Sequence, residues 1–144
     1  NLFEKNTSGI FMEGTNRIII LKNRFNDNGW AMKIQASCMD NTVTTNNFIS
    51  NTFDIATNGN LVLNTFKVNY WDKYIGYDLD KNNIGDVPYR PLSLYSVLAE
   101  KIPSSMLLYQ SFMITLLDKS EKIFPTLTPD NFIDHTPLML PLNL

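Results

Sequence analysis

The feature that most constrains this chain is a repeat. Asn1-Leu-Phe-Glu-Lys-Asn6 returns as Asn23-Arg-Phe-Asn-Asp-Asn28, as Asn46-Asn-Phe-Ile-Ser-Asn51 and as Asn64-Thr-Phe-Lys-Val-Asn69. The shared pattern, N-x-F-x-x-N, recurs at offsets of 22, 23 and 18 residues. Self-similarity at this period signals a solenoid, because one such unit cannot bury its apolar face without a neighbour. The runs between the motifs, such as Arg17-Ile-Ile-Ile-Leu, Trp30-Ala-Met-Lys-Ile and Thr42-Val-Thr-Thr, are β-prone and bounded by Asn and Gly. They are too short for helices. A leucine-rich repeat shares the period, and Ile18-x-Ile20-x-x-Asn23 fits its core pattern. The fit fails at Asn41 and Gly59, which stand where that repeat needs an apolar residue.

A parallel β-helix accounts for more, so the expected fold is all-β with a small helical and extended C-terminal tail. Each coil of about 22 residues holds short strands that pair with their equivalents one coil away. Phe3, Phe25, Phe48 and Phe66 are then expected to stack inside as one aromatic ladder. The flanking asparagines are expected at bends, where Asn tolerates the left-handed conformation and its amide bonds to backbone and to the next amide. The first coil would leave a sheet edge uncovered, which predicts further coils before Asn1 in a longer parent chain.

Composition divides the chain. Sixteen of its eighteen asparagines fall within residues 1–83, whereas all seven prolines lie at Pro88 or beyond. A Pro-free stretch suits backbone that must donate N–H groups to sheet ladders almost everywhere. The predicted divisions are coils over 1–69, an aromatic-acidic junction over 70–91 and a Pro-punctuated, Leu-rich tail over 92–144. The net charge of −2 advertises no basic face for nucleic acid. One cysteine, Cys38, rules out an intrachain disulfide and a Cys-based zinc site, and one histidine, His135, rules out a two-histidine site. No run is long and apolar enough to span a membrane.

The junction is the densest stretch. Asp78, Asp80, Asn82, Ile84 and Asp86 stand at the first, third, fifth, seventh and ninth positions of a calcium-type loop, Ile84 through its carbonyl. Asn83 replaces the usual glycine and Tyr89 the closing glutamate. The alternative is a cluster of Asx turns that caps the solenoid without metal. Tyr70, Trp71, Tyr74, Tyr77 and Tyr89 read either as a sugar-binding platform or, preferably, as a plug over the open core. For the inward carboxylates that a β-helix glycosidase needs, the repeats offer Asp27, Asp40 and Asp54. They lie in unrelated contexts and read as isolated surface acids, so no enzyme activity is expected. Cys38 reads as a small core or edge residue.

In the tail, a helix is expected from Ser104 or Ser105 to about Lys122. Met106, Leu107, Tyr109, Phe112, Met113, Leu116 and Leu117 make it apolar nearly all round, which predicts docking onto a partner. Met106 with Met113, or His135 with Met139, are conceivable soft ligands for Cu(I), against the commoner role of Met as a core filler. The closing segments around Phe124-Pro and Thr136-Pro read as extended arms laid along a surface.

The coils, Asn51-Thr-Phe-Asp-Ile-Ala-Thr-Asn58, the junction and the Pro-Leu-Ser-Leu-Tyr and Pro-Leu-Met segments together resemble the C-terminal part of NosD proteins. These are periplasmic accessory proteins for copper-site maturation of nitrous-oxide reductase. The resemblance implies a right-handed parallel β-helix that works with an ABC transporter and a copper chaperone, its Leu/Met-rich tail meeting the membrane subunit. It implies copper without assigning ligands, and no catalytic residue carries over. A carbohydrate-binding or carbohydrate-active β-helix is the alternative.

Overall fold

The computed structural model describes residues 1–59, 63–92, 119 and 132–144. Ten short strands fall into three parallel sheets. The first is β1 (Leu2–Glu4), β4 (Arg24–Asn26), β7 (Asn47–Ile49) and β10 (Tyr70–Trp71). The second is β2 (Ser8–Met12), β5 (Trp30–Ile34) and β8 (Phe53–Ala56). The third is β3 (Ile19–Leu21), β6 (Thr42–Thr44) and β9 (Thr65–Lys67). Every strand pairs in parallel with its counterpart one coil away, as in Phe3↔Phe25↔Phe48↔Trp71 and Ile20↔Val43↔Phe66. This is a parallel β-helix of three-sided coils. The helix expected over 104–122 falls outside the described residues except for Lys119, and its candidate docking residues Met106, Leu107, Tyr109, Phe112, Met113, Leu116 and Leu117 all lie outside them.

The interior is built in columns. Phe3, Phe25, Phe48 and Trp71 stack with ring centroids 5.0, 4.9 and 4.1 Å apart and planes within 11° of parallel. The expected fourth member, Phe66, is not in this column. It sits in β9 above Val43 and against Phe132, at 5.5 Å. The reason is phase. Advancing one coil of 23 residues from Phe48 reaches Trp71, whereas Phe66 is only 18 residues on, one side of the triangle short.

Asparagines mark the corners in three ladders. Asn1, Asn23, Asn46 and Asn69 form one, Asn28 and Asn51 above Asn6 a second, and Asn41 and Asn64 a third. A central member shows the wiring. The Oδ1 of Asn46 accepts from the backbone N–H and Nδ2 of Asn23, at 2.9 and 3.1 Å. Its Nδ2 donates to the carbonyls of Ile20 and Thr44 and to Oδ1 of Asn69. One buried amide thus bonds the coil on either side of its own, which is how buried polar groups avoid a desolvation cost.

The ladder asparagines are not themselves left-handed, contrary to expectation. The residue before the corner asparagine carries the positive φ at Asn6, Asn23, Asn28, Asn41, Asn46, Asn51 and Asn69: Lys5, Lys22, Asp27, Asp40, Thr45, Ser50 and Val68 lie between 52° and 58°. That residue turns the chain and faces outward, and the turn aims the following Asn side chain inward. None of these residues is glycine, so each bend carries a left-handed side chain that costs some stability.

Candidate functional site at the capped end of the helix

The ladders have a direction. From Asn23, Asn28, Asn41 and Asn46 both the N–H and Nδ2 donate to the Oδ1 of the asparagine in the next coil, so the last asparagine is left with donors. At Asn69 these are met by a carboxylate. Asp134, fully buried, returns from the C-terminal segment. Its Oδ2 accepts from Asn69 N, Asn69 Nδ2 and Trp71 Nε1 at 3.1, 3.2 and 3.1 Å, and its Oδ1 from Val68 N and Thr136 N at 3.2 and 3.0 Å. Asp is the residue this position needs, because an ionised carboxylate accepts and does not donate. Sequence reasoning missed it. The only signal was an acid 65 residues beyond Asn69, too distant to assign.

The C-terminal segment then forms a strap. Asp134 exchanges both backbone hydrogen bonds with Tyr89 at 2.9 Å, and Leu138 N donates to Asn69 O. Farther along, Leu142 pairs with the side-chain amide of Asn47 through both its N–H and its carbonyl. Leu144 reaches the first coil, where it lines a shallow cleft with Asn1, Leu2, Glu4 and Arg24. The extended arm expected at Thr136-Pro137 is laid along the chain's own first sheet.

Under the strap, the junction aromatics close the core. Trp71 is buried beneath Tyr89, at 5.4 Å, and Tyr89 meets the edge of Tyr74 at 5.8 Å. Tyr74 donates its hydroxyl to Val87 O at 2.7 Å. A Cβ on Gly76 or Gly85 would run into that ring, which explains both glycines. Burial above all pushes the Tyr74 pKa up, despite the bond to Val87. Of the five junction aromatics, Trp71, Tyr74 and Tyr89 are thus spent on closing the core, whereas Tyr77 is exposed.

The acidic loop over 78–86 is wired by amides. Asp78 accepts from Asn82 N and Asn83 N at 3.1 and 2.8 Å, Asp80 accepts from Asn82 Nδ2 at 2.8 Å, and Asn82 Oδ1 accepts from Ile84 N. Asp86 accepts from Leu79 N at 2.7 Å. Desolvation alone would raise the Asp78 pKa. Hydrogen bonds from the Asn83 backbone, with Asp80, and from the backbones of Asn82 and Lys81 outweigh it and hold the group below the usual carboxylate range. Asn83 adopts φ 67°, the left-handed turn that a calcium-type loop needs at its sixth position. The five expected donors, Asp78, Asp80, Asn82, Ile84 and Asp86, are therefore on one ordered loop, held by the Asx turns that were the alternative reading.

Asp54 corrects an expectation. Asp27 and Asp40 are exposed, but Asp54 is buried in β8. It follows Gly9 and Ala31 in the coil positions facing the aromatic column, where a Cβ on Gly9 would lie 3.1 Å from the Phe25 ring. Small residues make room there in the lower coils, and the space at the top admits a carboxylate. Its Oδ2 lies 3.5 Å from Lys73 Nζ and 3.4 Å from Tyr89 Oη, while Oδ1 has no partner. Burial, countered in part by Lys73, pushes its pKa up to about 6. Lys73 also donates to the carbonyls of Asn51 and Thr52.

Soft ligands are not gathered. Cys38 is buried with Thr15 Oγ1 on its sulfur at 3.3 Å, Met12 and Met32 are in the core, and His135 is exposed. Among the described residues, no three His, Cys, Asp or Glu side chains form a metal-binding group. Met106 and Met113 lie outside them. The described residues thus do not fit a copper centre.

A coil closed by this junction and strap is the setting in which the comparisons are decisive. Residues 1–84 match the family model described as "Periplasmic copper-binding protein (NosD)". The chain belongs to the NosD family. Relatives named "Probable ABC transporter binding protein NosD" are similar to it over most of its length. The one from Pseudomonas aeruginosa is 31% identical over 120 residues, covering 81% of this chain and 28% of the relative. The one from Stutzerimonas stutzeri is 27% identical over 123 residues, covering 83% and 28%. This NosD-family chain therefore spans less than a third of the length of those curated relatives. The family's description is periplasmic, and no described helix is long and apolar enough to cross a membrane.

Proposed function

We propose that this chain serves as the scaffold end of a non-enzymatic periplasmic accessory protein, acting with an ABC transporter and a copper chaperone in copper-centre maturation of nitrous-oxide reductase. The observation that carries the reading is the family match across the coils, together with the names of the relatives as ABC transporter binding proteins. Rigidity supports a scaffold: the coils are locked by buried amide ladders, and their end is closed by Asp134 and the strap. Copper enters this reading as cargo of the assembled machinery, since the described residues assemble no ligand set for it. The apolar stretch containing Met106, Leu107, Tyr109, Phe112, Met113, Leu116 and Leu117 is the proposed contact with the membrane subunit. Its composition, apolar on more than one side, supports that role.

The test must keep the cap. Truncating at Pro103 would remove Asp134 along with the docking stretch, so residues 104–122 should be replaced internally by a Gly/Ser linker. Co-purification with the transporter's membrane subunit should be lost while β-sheet circular dichroism is retained. Undiminished co-purification would reject the docking role. Uronate release or glycan-array binding by the purified chain would favour the carbohydrate reading instead.

A further inference from the structure

Two asparagines of the chain, Asn28 and Asn58, are followed by glycine. Asparagine is a chemically labile residue, and glycine after it removes the Cβ that would shield the next backbone nitrogen. That nitrogen can attack the asparagine Cγ. The reaction needs a glycine N–H free of a good acceptor, a side-chain amide able to swing towards it, and water.

The fold denies all three at Asn28, which is buried. Its Oδ1 accepts from Asn6 N at 3.0 Å, and its Nδ2 donates to Phe3 O and Asn51 Oδ1 at 2.9 and 3.0 Å. Gly29 N donates to Asn6 O at 2.9 Å. Freeing this amide would open a ladder and leave buried polar groups unpaired.

Asn58 is the opposite case. It is exposed, at the bend that follows β8. Its Oδ1 accepts from Ala36 N at 2.8 Å, and an N–H so placed stabilises the oxyanion that develops when Cγ is attacked. Gly59 N donates to Thr57 Oγ1 at 3.4 Å, a length at which a hydrogen bond is weak. Packing also keeps the reactive pair in place. A Cβ on Gly59 would run into Ala36 Cβ, and Asn58 supplies the acceptor for Ala36 N.

We propose that Asn58-Gly59 is a site of self-modification, closing to a succinimide and opening to aspartate or isoaspartate, while the ladder holds Asn28-Gly29 inert. The bond from Gly59 N to Cγ forms as the bond from Cγ to Nδ2 breaks, and the Gly59 proton leaves with that nitrogen as ammonia. Water then hydrolyses the imide. Aspartate keeps an acceptor for Ala36 N and adds one negative charge. Isoaspartate adds a methylene to the main chain where Gly59 is already packed on Ala36, so it must displace that bend.

The test incubates the whole folded chain in heavy-oxygen water at mildly alkaline pH, with a guanidinium-unfolded sample in parallel. Peptide mass spectrometry then reads label uptake at each position. In the folded chain, uptake at Asn58 should be at least tenfold faster than at Asn28; unfolding should bring the two rates together, because only the fold separates them. Asn58→Gln, whose longer side chain closes its ring far more slowly, should lose uptake there and leave Asn28 unchanged. Comparable rates at the two positions of the folded chain, faster reaction at Asn28, or no label at Asn58 would each overturn the proposal.

Discussion

Replacing Asp134 by alanine tests whether the ladders need an acceptor at their end. Of the donors around Asp134, some keep other partners. Asn69 Nδ2 still reaches the carbonyls of Val43 and Lys67, and Val68 N still reaches Thr136 Oγ1. Thr136 N is only partly buried and can turn to water. Two buried donors are orphaned, Asn69 N and Trp71 Nε1. An unsatisfied buried donor costs about 1–3 kcal/mol, so the loss should be about 2–6 kcal/mol, near the middle of that range. Urea unfolding followed by Trp fluorescence reads it directly, because Trp71 stands at the affected site. At a slope of about 1–3 kcal/mol per molar urea, a loss of about 4 kcal/mol moves the midpoint by more than 1 M. Asp134→Asn should also destabilise, since one of its terminal atoms becomes a donor facing donors. A midpoint within about 0.3 M of wild type for Asp134→Ala would refute the idea that the carboxylate terminates the ladder.

Three further outcomes follow from geometry. Asp54, with its pKa raised from 3.8 to about 6, binds its proton more tightly folded than unfolded. Its contribution is therefore full below pH 4 and is lost as pH rises through 6, by about 3 kcal/mol in all. Asp54→Asn should flatten that part of the stability profile and raise the urea midpoint at pH 7.5; a profile unchanged by the substitution would contradict the buried carboxylate. Val68, β-branched at φ 56°, should gain about 1 kcal/mol as Val68→Gly, net of the glycine's own chain entropy, and a loss of stability would show that its side chain matters more than its backbone. Calorimetric titration with Ca²⁺ decides the acidic loop: with no metal-binding group of acids assembled among the described residues, no heat is expected, and heat that Asp80→Ala removes would overturn the reading of the loop as an Asx-turn cap.

What the sequence made legible was whatever repeats locally. Asparagines one coil apart announced the ladders, and Phe3, Phe25 and Phe48 announced their column. Phe66 misled because N-x-F-x-x-N also occurs out of phase. Asn64 belongs to one corner and Asn69 to another, so the phenylalanine between them lies on a different side of the triangle. The offset of 18 was the available warning, and Trp71, read as a plug over the core, was not recognised as the column's next member because it is not Phe. Asp54 looked like any surface acid because its burial depends on Gly9 and Ala31 beneath it and Tyr89 above. Asp134 was invisible for a different reason. Its partners, Asn69 and Trp71, are more than 60 residues away, and no periodicity links a returning strap to the coil it closes.

The one-way wiring of the amide columns gives the stack a grammar. Each added turn reads the oxygen offered to it and offers its own in the same sense, so turns join only head to tail. A solenoid built this way cannot be spliced end to end with an inverted copy, because the joint would set like against like. The acid that finishes this column thus acts as a full stop: it takes the last donors and offers none of its own.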